Sequence, residues 1–193
     1  MRDMINKWGL GKIIGEAPES LAKQPNLLKA SCLDTPLGPM LAIGNEDSLY
    51  LLEFIDSCGL VLEVERLRNR ARATIILGSA LSISAIDQEL KAYFTGDLKE
   101  FKTPLCLTGS PFQKLVWQEL IKIPYGEMRS YSDQSIAIGK PTAYRAVANA
   151  NGVNPVSIVI PCHRIIRSDG TLGGYAGGLT RKRWLIDHEK ENS

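Results

Sequence analysis

Between Leu28 and Ile55, apolar and polar positions alternate in short runs broken by turn residues. Residues 30–33, 39–43 and 48–54 read as three strands, separated by Asp34-Thr35-Pro36 and by Gly44-Asn45. The period then changes. Residues 63–72 are densely charged and read as a solvated helix, and Ile83, Ile86, Leu90 and Phe94 recur at helical spacing over 83–94. These elements predict a small N-terminal α/β domain over residues 28–108. Residues 1–27 mix glycine, lysine and proline without a firm period and read as an extension of uncertain order.

From Ser110 onward the pattern is helical. Ser110-Pro111 supplies an N-cap serine and a proline at the first helical position. Phe112, Leu115, Val116, Leu120 and Ile123 mark one apolar face of a helix that ends before Pro124, and Tyr125-Gly126 makes a turn. A second helix is expected over 132–138, stopped by Gly139. A third opens at Pro141 and runs from 142 to 149 or 150, stopped by Gly152. Two short helices joined at Gly139-Lys140 form a helix-turn-helix, whose second helix can lie in a DNA groove; the same pair also serves as ordinary packing. The apolar run 156–160 suits a buried strand feeding Pro161-Cys162-His163-Arg164, and a last helix from 179 to about 189 returns Glu189 toward the body. The fold class is α+β, with a mostly helical domain over 109–193 after the strand-rich half.

Composition narrows the class. Hydrophobic residues are 44% of the 193 and charged residues 23%, as in an ordinary soluble globular protein. Four cysteines, Cys32, Cys58, Cys106 and Cys162, stand far apart without a CxxC pair, and only His163 and His188 could join them as ligands. That suits neither a disulfide scaffold nor a four-thiolate zinc site, so reduced thiols in the cytoplasm are expected, with no metal and no cofactor. Arg2 and Lys7 precede no unbroken apolar stretch, and the most apolar region, 73–86, is too short to span a membrane and carries three serines. Charge is uneven. Residues 1–100 hold 11 basic and 14 acidic groups, net −3, and residues 101–193 hold 12 and 7, net +5. A basic C-terminal half admits nucleic acid as a partner and equally a plain solvated surface.

Pro161-Cys162-His163-Arg164 is the segment with candidate chemistry. A cysteine attacks carbon as the thiolate, and its ordinary pKa of about 8.5 leaves little ionised near neutrality. A neighbouring histidine and arginine favour the thiolate. Alone, the Cys-His pair reads more often as a buried structural cysteine than as a nucleophile.

Around that segment, residues 110–189 resemble the O6-alkylguanine-DNA alkyltransferases, or methylated-DNA–protein-cysteine methyltransferases. The resemblance rests on Pro111-Phe112, Ile123-Pro124-Tyr125-Gly126-Glu127, Ser130-Tyr131, Gly139-Lys140-Pro141, Arg145-Ala146-Val147, Asn154-Pro155, Ile160-Pro161-Cys162-His163-Arg164, Gly174-Tyr175-Ala176-Gly177-Gly178 and Lys182-Arg183-Trp184-Leu185, in order. It implies that Cys162 accepts an alkyl group from O6-alkylguanine in double-stranded DNA, with O4-alkylthymine a further candidate lesion, once and irreversibly. It implies His163 as base through a bridging water, Glu189 as its orienter, Asn154 as the brace of the preceding turn and Tyr131 as hydrogen-bond donor to the guanine. Tyr175, Ala176, Ile160 and a supporting Lys182 would line the base pocket. Arg145 would enter the duplex in place of the flipped nucleotide, from a helix lying in the minor groove, with Ser130, Ala143, Tyr144, Ala146 and Asn149 beside it. The protein would act as a monomer, away from membranes.

Two departures stand out. Tyr144 precedes Arg145 where the family usually has a small residue, and Gln134 and Ser135 occupy positions usually apolar and small. Three other readings compete: an alkyltransferase-like lesion binder, which would lack the acceptor cysteine; a helix-turn-helix regulator, which would need a dimerisation segment; and a cysteine hydrolase. Trp117 and Trp184 are expected in the core, and Cys32, Cys58 and Cys106 as structural residues.

Overall fold

In the computed structural model, which describes residues 7, 9–15 and 26–193, the chain divides into two units between Thr108 and Gly109. In the first, strands β1 (Ile14–Gly15), β2 (Leu27–Leu33), β3 (Met40–Gly44), β4 (Leu49–Phe54) and β5 (Thr74–Leu77) form one sheet in the order β1-β5-β2-β3-β4. β2, β3 and β4 pair antiparallel, as their short turns require, while β5 runs parallel to both β1 and β2. Helices α1 (Leu60–Ala71) and α2 (Leu81–Phe94) pack on β4 and β3 respectively. β3 is buried at all five positions, as expected of a strand covered on both faces.

Three differences from the sequence reading have simple causes. The charged segment around 63–72 is not wholly solvated. Its helix starts earlier, at Leu60, and buries Leu60, Val64 and Leu67, one narrow apolar stripe under a charged back. β5 was not legible, because Thr74–Leu77 runs on into the apolar start of α2 with no change of period. Part of the expected extension over 1–27 belongs to the sheet unit: Leu10, Ile13 and Ile14 join its core, while 1–6, 8 and 16–25 lie outside the described residues.

The second unit holds α3 (Pro111–Ile121), α4 (Tyr131–Ala137), α5 (Tyr144–Asn151) and α6 (Leu179–Glu191), with strands β6 (Arg129–Ser130) and β7 (Ile165–Ile166) paired in parallel. α3 and α4 each begin with a capping box, Ser110 with Gln113 and Ser130 with Asp133. α4 and α5 are the expected helix-turn-helix. Gly139 between them has φ 71°, a left-handed turn that a side chain would strain. α5 starts at Tyr144 rather than 142, since Ala143 N–H closes a turn onto Lys140 O at 2.9 Å.

α5 buries Val147, Ala150 and Asn151 and exposes Tyr144, Arg145, Ala146 and Asn149. Its seating is polar as well as apolar. The buried Gln134 donates to Val116 O at 3.1 Å and to Asn151 Oδ1 at 3.3 Å, and Asn151 Nδ2 donates back to Gln134 Oε1 at 2.7 Å. Ser135 donates to Ser132 O at 2.8 Å, and Trp117 Nε1–H donates to Ala150 O at 2.8 Å. The unusual polarity of Gln134 and Ser135 is thus satisfied inside the unit. Trp117 is core as expected. Trp184 is not: it is 36% exposed, its ring stacked on His188 with centroids 4.7 Å apart.

Gln134→Ala is expected to lower stability by about 1–3 kcal/mol, because it leaves the buried Asn151 amide without its partner. Replacing Gln134 and Asn151 together by leucine should recover most of that loss. Urea unfolding of the two variants beside the native protein checks this; a Gln134→Ala midpoint equal to native would sink it.

Candidate active site

The apolar run 156–160 is buried but is not the expected strand. Asn154 folds it into a turn: its Oδ1 accepts Val156 N–H at 3.0 Å and its Nδ2 donates to Ile160 O at 2.7 Å. Ile160 N–H closes the loop on Val156 O at 2.9 Å. With the backbone groups at both its ends paired within the loop, the run closes on itself and not onto a sheet neighbour. The turn forces Ile158 to φ 73°, a conformation costing a β-branched residue about 1–3 kcal/mol, and burial of its side chain holds it there.

This turn delivers Cys162 into a single turn of 3-10 helix, Cys162–Arg164. Cys162 is 7% exposed and outside any disulfide, and Asn154 Nδ2 lies 3.3 Å from its Sγ. One amide therefore braces both the loop and the thiol. In a 3-10 turn successive side chains point about 120° apart, so His163 and Arg164 leave the thiol in different directions.

Both reach α6. That helix buries Lys182, Leu185, Ile186 and Glu189, spaced as one face, so Lys182 and Glu189 stand two turns apart along the same wall. His163 Nε2 meets Glu189 Oε1 at 2.8 Å. Arg164 donates from Nε to Glu189 Oε2 at 2.8 Å and from Nη2 to Oε1 at 3.0 Å, and from Nη1 to Ile123 O. Gly126 N–H also donates to Glu189 Oε2 at 3.2 Å. Burial raises the Glu189 pKa, but the hydrogen bonds from His163 and Arg164, with the Arg164 charge, outweigh that and hold the carboxyl well below the ordinary range. Burial lowers the His163 pKa, helped by the Arg164 and Lys182 charges and opposed by Glu189, so the imidazole is neutral near pH 7. An ionised Glu189 accepts only, which places the proton on Nε2 and leaves the lone pair on Nδ1, a buried atom with no hydrogen-bond partner.

Sequence reasoning did not foresee the part played by Arg164. The arginine was expected to favour the thiolate directly; instead its guanidinium is committed to Glu189 and acts through it. The signal was the arginine itself, since a buried guanidinium implies a carboxylate partner.

Tyr131 opens α4 directly after β6, and the β6–β7 pairing holds it next to the segment that follows Cys162. Burial and the nearby Cys162 charge raise its phenol pKa, keeping a proton available for donation. Gly173, at φ 68°, leaves room for that ring: a Cβ there would stand 2.9 Å from the Tyr131 hydroxyl. Lys182 is 0% exposed, and its ammonium donates to Ile165 O and to Gly174 O, tying β7 to the loop that leads to Tyr175 and Ala176. Burial lowers its pKa from 10.5 to about 8.

Cys162, His163, Glu189 and Asn154 are thus brought together, with Tyr131 and Lys182 close to the thiol's charge. Tyr175 and Ala176 are half-buried in a turn closed by Gly178 N–H onto Tyr175 O at 3.1 Å. Ile160 is fully buried, and its carbonyl is occupied by Asn154. Ser130 is spent on its cap, accepting Asp133 N–H at 3.0 Å. Beside Tyr131 opens a cleft of about 390 Å³, whose walls include Tyr144, Arg145, Arg167, Ser168 and Gly174. Arg167 and Ser168 had carried no expectation.

Two family models match most of the chain: 6-O-methylguanine DNA methyltransferase, ribonuclease-like domain, over residues 28–107, and 6-O-methylguanine DNA methyltransferase, DNA binding domain, over residues 111–191. A methylated-DNA–protein-cysteine methyltransferase of Methanosarcina barkeri is 44% identical over 160 residues, 83% of this chain and 96% of its own. One from Mycobacterium leprae is 39% identical over 164 residues, 85% and 93% of the two chains. The crystal structure of Mycobacterium tuberculosis OGT in complex with DNA matches with a TM-score of 0.72 at 40% identity, covering 86% of this chain and 94% of that one.

Proposed function

The chain belongs to the 6-O-methylguanine DNA methyltransferase family, and from that premise we propose that it repairs duplex DNA by moving the alkyl group of O6-alkylguanine onto its own Cys162. The observation that carries the site assignment is the buried His163–Glu189 pair, which leaves Nδ1 of a neutral imidazole as an unpaired basic atom on the residue next to Cys162. The lesion sits inside the double helix, so the nucleotide is flipped out, at a cost of a few kcal/mol. His163 takes the Cys162 proton at Nδ1 through a bridging water, and Glu189 stabilises the imidazolium that results. Sγ attacks the alkyl carbon, an S–C bond forms, and the C–O6 bond breaks. Tyr131 donates to the departing guanine, which leaves as a neutral base. No cofactor enters these steps, and the protein acts as a monomer. Four thiols outside disulfides fit a reducing compartment, the cytoplasm. Among the described residues no helix is long and apolar enough to cross a membrane.

Intact mass of the protein after mixing with excess O6-methylguanine duplex tests this reading. One added methyl per chain, on Cys162, is expected. An unchanged mass alongside tight binding would identify a lesion binder instead.

Arg145, exposed on α5, is the side chain proposed to fill the gap left by the flipped nucleotide. Arg145→Ala should slow transfer from duplex by about 10- to 100-fold, the equivalent of one stacked contact. Free O6-benzylguanine needs no extrusion and serves as the reference. A mutant that loses both reactions in proportion would move Arg145 out of the duplex and into support of the fold or the thiol.

A further inference from the structure

Tyr144 is the first residue of α5 and is 45% exposed, a large ring on a surface otherwise made of small and polar side chains. Its neighbour Arg145 folds back over it, with the guanidinium carbon 5.7 Å from the ring centroid. Adjacent helical residues diverge by about 100°, so this contact is not imposed by the backbone; the arginine must bend to make it. Among the described residues nothing else competes for the charge. The first turn of α5 has no acidic residue and no side-chain cap. Nearby Asp133 is engaged by Ser130, and Glu127 lies toward Arg129. Among the described residues Arg145 has no carboxylate partner and no side-chain hydrogen bond. Both side chains line the cleft that Tyr131 also walls.

We propose that Tyr144 is a positioning residue for Arg145: its ring holds the guanidinium at the mouth of the cleft in the DNA-free protein, already beside the site it must enter when the nucleotide leaves. The proposal rests on the reading of Arg145 as the side chain that replaces that nucleotide. The physical gain is preorganisation. A free arginine samples many rotamers, and a guanidinium resting on an aromatic face has fewer to search before it inserts.

The test is a double-mutant cycle read as the ratio of single-turnover rates on O6-methylguanine duplex and on free O6-benzylguanine. Tyr144→Ala should lower that ratio about 2- to 5-fold, the size of an exposed cation–π contact. Tyr144→Phe keeps the ring and should keep the native ratio, which a role for the hydroxyl would not allow. In an Arg145→Ala background, Tyr144→Ala should add nothing. If it lowers the ratio equally with and without Arg145, Tyr144 touches DNA on its own account and the proposal is wrong. It is wrong too if Tyr144→Ala matches native while Arg145→Ala is impaired, a result that spares the reading of Arg145. An unimpaired Arg145→Ala would remove that reading itself and the proposal with it.

Discussion

Cys162→Ala should bind O6-methylguanine duplex with near-native affinity and transfer nothing. A thiolate is a far stronger nucleophile toward an alkyl carbon than the imidazole, amine and phenol around it, so transfer falls to background rather than by a factor. Structure should survive. Asn154 keeps Ile160 O and Val156 N–H as partners when it loses the thiol, and a single lost hydrogen bond costs about 1 kcal/mol. The same chemistry limits the native protein to one event. A thioether has no ready leaving group, and no group in the site can return the sulfur to a thiol. Product formed against time should therefore show a burst whose amplitude equals the protein present, then stop. Sustained product beyond one equivalent, or methyl found on Cys32, Cys58 or Cys106 by peptide mass, would overturn the assignment.

Glu189→Gln should slow transfer by about 10²- to 10⁴-fold, the range of a general base put out of action. It should also destabilise the chain by about 3–5 kcal/mol, because the buried Arg164 guanidinium loses its counter-charge. His163→Ala separates the two effects. It leaves Arg164 on Glu189 and should lose the rate with much less of the stability. Equal damage to DNA affinity and transfer rate in His163→Ala would contradict a role in activating the thiol.

Acid should act on the native protein through the same pair. The His163 pKa is lowered in the fold, so between that value and its ordinary 6.5 the unfolded chain binds the proton and the folded chain does not. Stability therefore falls as pH drops below about 6.5. The Glu189 pKa is also lowered, so its contribution, fully present above its ordinary 4.5, is lost as pH falls further. Both terms have the same sign. Thermal melts between pH 8 and pH 4 should decline in one direction, and a rise toward pH 5 would exclude the neutral imidazole.

Much of this was legible in the sequence because local chemistry and tertiary structure agreed. Ser110-Pro111 opened a helix as its cap required, and the Leu49–Phe54 and Met40–Gly44 strands followed their turns. The second unit misled where one side chain overrode a pattern. An apolar run such as 156–160 reads as strand, yet the two hydrogen bonds of Asn154 close it into a turn, and no periodicity records a side-chain brace. Thr74–Leu77 was missed for the opposite reason, a real strand merged with the apolar start of a helix. At the site, the motif pointed to Cys162 and His163 and the resemblance to Glu189, but neither to the commitment of Arg164. Adjacent letters do not say that a 3-10 turn sends consecutive side chains to different partners.

The Gln134–Asn151 pair has a consequence for how this protein can change. Apolar contacts tolerate sliding, whereas two reciprocal amides fix a helix at one depth and one rotation. α5 is therefore seated by its buried side alone, through Gln134, Trp117 and Val147. Its outer positions, 144, 145, 146 and 149, bear none of that load and are open to exchange without resetting the helix. Selection or a protein engineer can rewrite that row as a cassette while the seating of α5 and the Asn154–Cys162 and His163–Glu189 contacts stay as they are.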